Sequence, residues 1–243
     1  MNTGRGYDVA VFAGGRGERL RPLSDERNKN LMPAGVKPIV GHVLDLIESV
    51  SPSRVFLLVG YRADDFRSYL ETWRSSSAAR IELAEKAACC PLHALLQLES
   101  EGLTDPFLLV HGNILFRAGL LTEVCQAHAT HKSAVCVAGV SLNHLVETHP
   151  YSRMTDGRVT ELRLERPADP RSWACWMGVY SLSTRLFGLM TQFGRCGVPE
   201  SALAAALGPD SIRGVLYESR WFHLATREDL QAAKGMDTEW VWK

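Results

Sequence analysis

The sequence predicts an α/β fold, doubly wound around a mixed, mostly parallel sheet. Three observations carry that expectation. Short apolar runs alternate with segments of helical period through residues 8–132. The runs are continuous rather than alternating with polar residues, the mark of strands covered on both faces. A glycine-rich turn follows the first of them, at the place where an open α/β sheet receives its ligands.

Each element has its own justification. "DVAVFA" (Asp8–Ala13) is a buried strand, and "PIVGHVLDLIESV" sets Ile39, Val43, Leu46, Ile47 and Val50 on one helical face. Strand "RVFLLVG" precedes helix "ADDFRSYLETW", whose Phe66, Tyr69, Leu70 and Trp73 share a face. Strand "RIELAE" leads to helix "PLHALLQLES", and strand "PFLLVHG" to helix "AGLLTEVCQAHATH". After Ser133 strands predominate: "AVCVAGVSL", "YSRMT", "RVTELRLE" and "WACWMGVYSL", with "TDGR" (Thr155–Arg158) as a hairpin turn. Helices "TRLFGLMTQF" and "ESALAAALG", strand "IRGVLYES", the short "RWFHLAT" and helix "REDLQAAKG" complete the chain. No linker, repeat or low-complexity tract interrupts it. The expected plan is one domain, 1–243, with a nucleotide-binding half at 8–132 and an acceptor-side half at 133–243.

Composition narrows the function. Of 243 residues, 46% are apolar and 22% charged, and Lys plus Arg (27) balances Asp plus Glu (27). No bulk positive field draws the chain to a nucleic acid polymer, so any anion site is local. "MNTGRGYD" lacks the apolar core of a signal peptide, and no run approaches membrane-spanning length. Six cysteines without CxxC or zinc-ligand spacing fit a reducing, cytoplasmic setting, with Cys89 and Cys90 as thiols rather than a disulfide.

Gly14, Gly15 and Gly17 follow the first strand directly, and Arg16, Arg19 and Arg21 lie among them. Glycines let backbone N–H groups approach an anion, and the arginines add charge. Taken alone they are weak evidence, and a tight turn with solvated arginines is the alternative. The spacing is neither GxGxxG nor GxxxxGK[ST].

The longer segment "AGGRGERLRPLSDERNKNLMPAGVKPIVGHVLDLI" closely resembles the signature of the sugar-phosphate nucleotidylyltransferases, roughly GGxGTRLxPLT, then PKPLxPV, then xKP and a helix. The match continues in register. "VGYRADDFRSYL" and "DPFLLVHGNILF" look like the family's second and central strands, "LERP" like its FxEKP segment, and "RWFHLATREDL" like its WxDIGTPEDL ending. The resemblance implies a Rossmann-like nucleotide-diphospho-sugar transferase fold. It implies a nucleoside triphosphate and a phosphorylated small-molecule acceptor as ligands, with pyrophosphate released. Ala13, Gly14, Gly15, Gly17 and Glu18 would line the triphosphate, with Cys90 and Pro91 in the base-reading segment. Arg19 and Lys29 would act on the phosphates at the reacting centre. Arg166, Trp176 and Gly178 would face the acceptor, the bulk of Trp176 either closing the pocket or stacking on a different acceptor. Glu18 stands where many members have threonine or serine, as a harmless surface change or a carboxylate near the phosphates.

The resemblance also implies a divalent cation, magnesium or manganese, shared by two aspartates. Those positions hold Asn113 and His223, so both carboxylates are replaced. His111 precedes Asn113 by two residues and points to the same side of its strand. A His111–Asn113–His223 metal site is one option, and His111 as a hydrogen-bonded strand-end residue is the other. "CCPLHAL" stands where the family reads LGTAGAL, and "WMGVY" where it reads NAGIY. Two functions therefore stand open. One is a nucleotidylyltransferase with an atypical metal site. The other is a catalytically silent homologue that binds a nucleotide or nucleotide-sugar and regulates or scaffolds an active partner. No DxD motif supports a glycosyltransferase. The "WVWK" tail is compatible with a homo-oligomer.

Overall fold

The computed structural model describes residues 6–73, 80–85, 90–131, 149–169, 172–193, 202–203 and 211–243, and the backbone of 135–141. The strands are β1 (Val9–Phe12), β2 (Pro33–Ala34), β3 (Lys37–Pro38), β4 (Arg54–Leu58), β5 (Arg80–Ala84), β6 (Phe107–His111) and β7 (Ile114–Leu115). They continue with β8 (Val135–Ser141), β9 (Tyr151–Thr155), β10 (Arg158–Arg163), β11 (Ala174–Leu182), β12 (Ile212–Tyr217) and β13 (Phe222–His223). The helices are α1 (Leu23–Glu26), α2 (Ile39–Glu48), α3 (Ala63–Thr72), α4 (Pro91–Leu96), α5 (Gly119–His131), α6 (Leu186–Met190) and, as α7, Arg227–Lys234. The expected α/β class, with a mixed and mostly parallel sheet, is the class observed. Packing divides the chain into two compact units whose bounds differ from the expected halves on either side of residue 133.

The first unit comprises Met1–Ala87, Val110–Gly119 and Ser219–Lys243. Its strands β5, β4 and β1 lie parallel in that order, with Val9 opposite Val55 and Val55 opposite Ile81. Val9, Ala10 and Val11 are all buried, as a strand covered on both faces requires. The predicted face of α2 is also buried at Ile39, Val43, Leu46 and Ile47, but the helix ends at Glu48, leaving Val50 outside it. On α3 only Phe66 of the predicted face is buried, and Trp73 caps the helix rather than extending it. Two small sheets went unforeseen: β2 with β3, turning at Gly35 (φ +63°), and β7 with β13. Helix α7 opens with a reciprocal cap in which Thr226 Oγ1 accepts from the Asp229 N–H and Asp229 Oδ2 accepts from the Thr226 N–H.

The second unit comprises Ala88–Leu109 and Leu120–Glu218. Its sheet runs β6, β11, β8, β12, β10, β9, with β8 and β12 parallel and β11–β8 and β10–β9 antiparallel. The expected hairpin turn is present: Asp156 and Gly157 both have positive φ (50° and 70°), the geometry that matches strand twist. Strand β10 stops at Arg163, and α4 stops at Leu96, both short of the predicted ends. The expected helix at 200–208 lies largely outside the described residues.

Candidate functional site

The glycine loop leaves the carboxyl end of β1 and is tied to its neighbour at once. The Ala13 N–H donates to the Leu58 carbonyl (3.0 Å), and the Tyr61 N–H to the Gly14 carbonyl (3.3 Å). A Cβ on Gly14 would lie 3.0 Å from the Gly60 nitrogen, so this close approach requires glycine. Gly17 takes the left-handed conformation (φ +65°), and a Cβ there would lie 3.1 Å from Lys29 Cβ. One tight helical turn, Glu18–Leu20, then buries Leu20 and leaves Glu18 and Arg19 exposed. Glu18 is thus a solvent-facing residue of the loop.

Lys29 runs along the inner side of this loop. Its Cε and Nζ lie 3.6 and 3.9 Å from where a Gly15 Cβ would stand, ordinary contact distances that place the amine against the loop. Packing withdraws the ammonium from water, and the guanidinium of Arg19 repels it. The two effects, burial first, lower the Lys29 pKa from 10.5 to about 8. Among the described residues no carboxylate forms an ion pair with Lys29 or Arg19. An ammonium held this way gains from any anion that reaches the loop.

Two residues that carry no signature in the sequence hold Lys29 in place. Asn28 and Asn30 stand where the PKP of the resembled pattern has prolines. Asn28 Nδ2 donates to the carbonyls of Ala13 (3.2 Å) and Tyr61 (2.8 Å). Its Oδ1 accepts from the Asn30 N–H and from Asn30 Nδ2, both at 2.9 Å. Asn30 Nδ2 also donates to Ala13 O (2.9 Å), and the Asn28 N–H donates to Asp65 Oδ2 (3.2 Å), which the Arg62 guanidinium also engages. A proline would fix the backbone here by its ring. This chain fixes it with hydrogen bonds between two fully buried amides. Asn28→Asp, isosteric but without the N–H donors, turns a carboxylate toward two carbonyls. Urea unfolding should show a loss of about 1–3 kcal/mol, the cost of a buried carbonyl left without its donor.

At the end of β6 the Gly112 N–H donates to the Phe12 carbonyl (2.9 Å). A Cβ on Gly112 would lie 3.1 Å from Asn30 Oδ1, so Asn113 follows directly beside the Lys29 segment. Asn113 and His223 are neighbours, as expected. His223 pairs with Ile114 in the small β7–β13 sheet, and the Leu224 N–H donates to Asn113 O (2.9 Å). Asn113 Nδ2 donates to Leu224 O (2.8 Å), so its buried amide braces the two segments. The His223 ring lies parallel to that of Trp221, with centroids 6.3 Å apart. His111 packs edge-on against Phe12 (5.6 Å).

These residues do not fit a divalent cation of the kind two aspartates would hold. Asn113 contributes no charge and has its amide committed to Leu224, and His223 is an imidazole, a ligand poorly matched to magnesium. Among the described residues no group of three or more His, Cys, Asp or Glu side chains could hold a metal ion.

The second unit carries the remaining predicted positions. Cys90, a half-buried thiol, caps α4, its Sγ accepting from the His93 N–H (3.4 Å), with Pro91 at the first helical position. Arg166 is exposed after β10. Gly178 has φ +81° at a register shift between Trp176 and Tyr180, a bulge in β11 that needs glycine. Trp176 does not reach the surface. It is 0% exposed, donates its indole N–H to Ser152 Oγ (3.1 Å) and packs edge-on with Tyr180 (6.0 Å). It is a core residue of β11, buried by the apolar run "WACWMGVY" to which it belongs.

Residues 9–194 match the family described as nucleotidyl transferase. The bifunctional protein GlmU of Methanocaldococcus jannaschii is 24% identical over 219 residues, 88% of this chain and 50% of its own length. The UTP–glucose-1-phosphate uridylyltransferase AglF of Haloferax volcanii is 26% identical over 186 residues, 74% of this chain and 73% of its own. The chain thus spans half the length of the GlmU relative. The crystal structure of a UDP-glucose pyrophosphorylase complexed with UDP-glucose superposes with a TM-score of 0.77 at 14% identity, covering 94% of this chain and 97% of that one. With the family match covering most of its length and the glycine loop and Lys29 placed at the end of β1, the chain belongs to the nucleotidyl transferase family.

Proposed function

We propose that the chain transfers a nucleoside monophosphate from a nucleoside triphosphate to a sugar phosphate or a related phosphorylated acceptor. Residues 8–132 supply the nucleotide side and 133–243 the acceptor side. A phosphate oxygen of the acceptor attacks the α-phosphorus, the bond to the bridging oxygen breaks, and pyrophosphate leaves. Such a reaction needs positioning and charge more than covalent help. The backbone of Ala13–Gly17 lines the phosphates, and Lys29 and Arg19 oppose the negative charge that shifts onto the leaving pyrophosphate. The family resemblance assigns Cys90 and Pro91 to the base and Arg166 to the acceptor phosphate.

The observation that carries the proposal is Lys29, packed along the glycine loop with its ammonium poorly solvated and opposed by no carboxylate among the described residues. The test is pyrophosphate release across the four common triphosphates and a panel of sugar phosphates, UTP with glucose 1-phosphate among them because AglF carries that name. Release dependent on both substrates supports it. Triphosphate binding with no release for any pair would favour the silent homologue, which the bracing amide of Asn113 and the lack of a carboxylate at position 223 also favour. Its active partner would then be a homologue, whereas the enzyme acts alone or as a homo-oligomer.

A further inference from the structure

We propose that this phosphate site takes its polyphosphate as the metal-free anion, with no divalent cation held between ligand and protein. The inference rests on the phosphate-binding role given to the loop above. Three independent observations carry it. First, the two positions that would supply anionic ligands carry no carboxylate, and Asn113 Nδ2 is bonded to the Leu224 carbonyl, which fixes that side chain as a brace. An aspartate there would set a carboxylate against the same carbonyl. Second, His223 belongs to the β7–β13 pairing and lies flat beside Trp221, so its place is set by the small sheet. Third, the loop itself is cationic: Lys29 lies 3.9 Å (Nζ) from the Cβ position of Gly15, and exposed Arg19 joins no ion pair among the described residues. Burial first, and then the repulsion of Arg19, depress the affinity of Lys29 for its proton.

The sign of the magnesium effect follows from charge. A site with two carboxylates repels a bare polyphosphate and accepts it only with a cation between them. A site with two cations and no carboxylate at the two ligand positions, its one loop carboxylate (Glu18) turned to solvent, attracts the bare anion, and magnesium weakens that attraction by neutralising part of the ligand. The family resemblance implies the first sign, and the residues of this chain give the second.

The test uses inorganic tripolyphosphate, which removes the unknown base from the question, with calorimetric titration of the whole chain at constant ionic strength. Binding in EDTA at least as tight as in excess magnesium is the expected result. A loss of about tenfold or more on removing magnesium would overturn the proposal while leaving the phosphate-binding role intact. Absence of binding to tripolyphosphate and to every nucleoside triphosphate, in both conditions, would overturn that role as well. His223→Asp, chosen because it leaves the Asn113 brace untouched, should weaken binding of the free anion and make magnesium favourable. An unchanged magnesium dependence in a folded His223→Asp protein would show that position 223 does not face the phosphates, and would overturn the inference.

Discussion

Lys29→Met is expected to make the ligand-free protein more stable and to deprive it of its nucleotide. The lysine ionises at about 8 in the fold against 10.5 in an unfolded chain, because burial and Arg19 disfavour its charge. Below about pH 8 the folded protein carries the whole penalty, about 3 kcal/mol at 1.36 kcal/mol per pKa unit. As pH rises from 8 toward 10.5 the unfolded chain still binds the proton that the fold has released. The penalty therefore fades, and stability rises across that window. Methionine keeps the packed stem without the charge, so its advantage should be largest at pH 7 and should vanish near pH 10.5. The same substitution removes a charge-assisted contact to phosphate worth about 1.5–3 kcal/mol, roughly ten- to a hundredfold in affinity. Chemical denaturation across this pH range, with and without triphosphate, reads both effects. A variant that is less stable at pH 7 would place the ammonium in a compensated environment, against the packing described.

Trp176→Ala should cost about 3–5 kcal/mol, the usual range for emptying a large aromatic site in a core. The indole is wholly buried in β11 and satisfies the equally buried Ser152 hydroxyl. Trp176→Phe should recover most of the packing and leave only the hydroxyl unsatisfied, a loss of about 1–3 kcal/mol. Urea unfolding of both variants separates the roles that this residue type can play. Were Trp176 in contact with the acceptor, the alanine variant would keep the parent midpoint and raise only the acceptor KM.

Local pattern made much of this fold legible. The continuous apolar run at Val9–Phe12 and the 3.6-residue period of Ile39–Ile47 dictate one structure each, and Asp156-Gly157 needs no tertiary help to turn. Trp176 could have been placed from the same kind of signal, since a tryptophan inside an unbroken apolar strand is covered on both faces. Its correspondence to a sugar-facing position of related chains pointed the other way. Asn28 and Asn30 were not legible. As polar residues in a glycine-rich stretch they look like ordinary turn formers, and their partners, Ala13 and Tyr61, lie 15 to 33 residues away. The glycines of the loop were visible as a pattern, but the reason for Gly14 is the backbone at Gly60, which only the fold brings near. The adjacency of Asn113 and His223 came from the resemblance. The amide bond to Leu224, which changes what Asn113 does, came from the structure.

The claim on which the rest depends is that the Lys29 ammonium meets the phosphates. Calorimetric titration with a nucleoside triphosphate at pH 8.5, in buffers of differing ionisation enthalpy, tests it directly. With a pKa of about 8, the free protein holds Lys29 mostly neutral at that pH, and a bound polyanion should recharge it, drawing in about three quarters of a proton per site. That uptake should be absent in an Arg19-containing Lys29→Met protein wherever binding remains measurable. Binding by the parent chain without proton uptake, or with the same uptake in Lys29→Met, would contradict it.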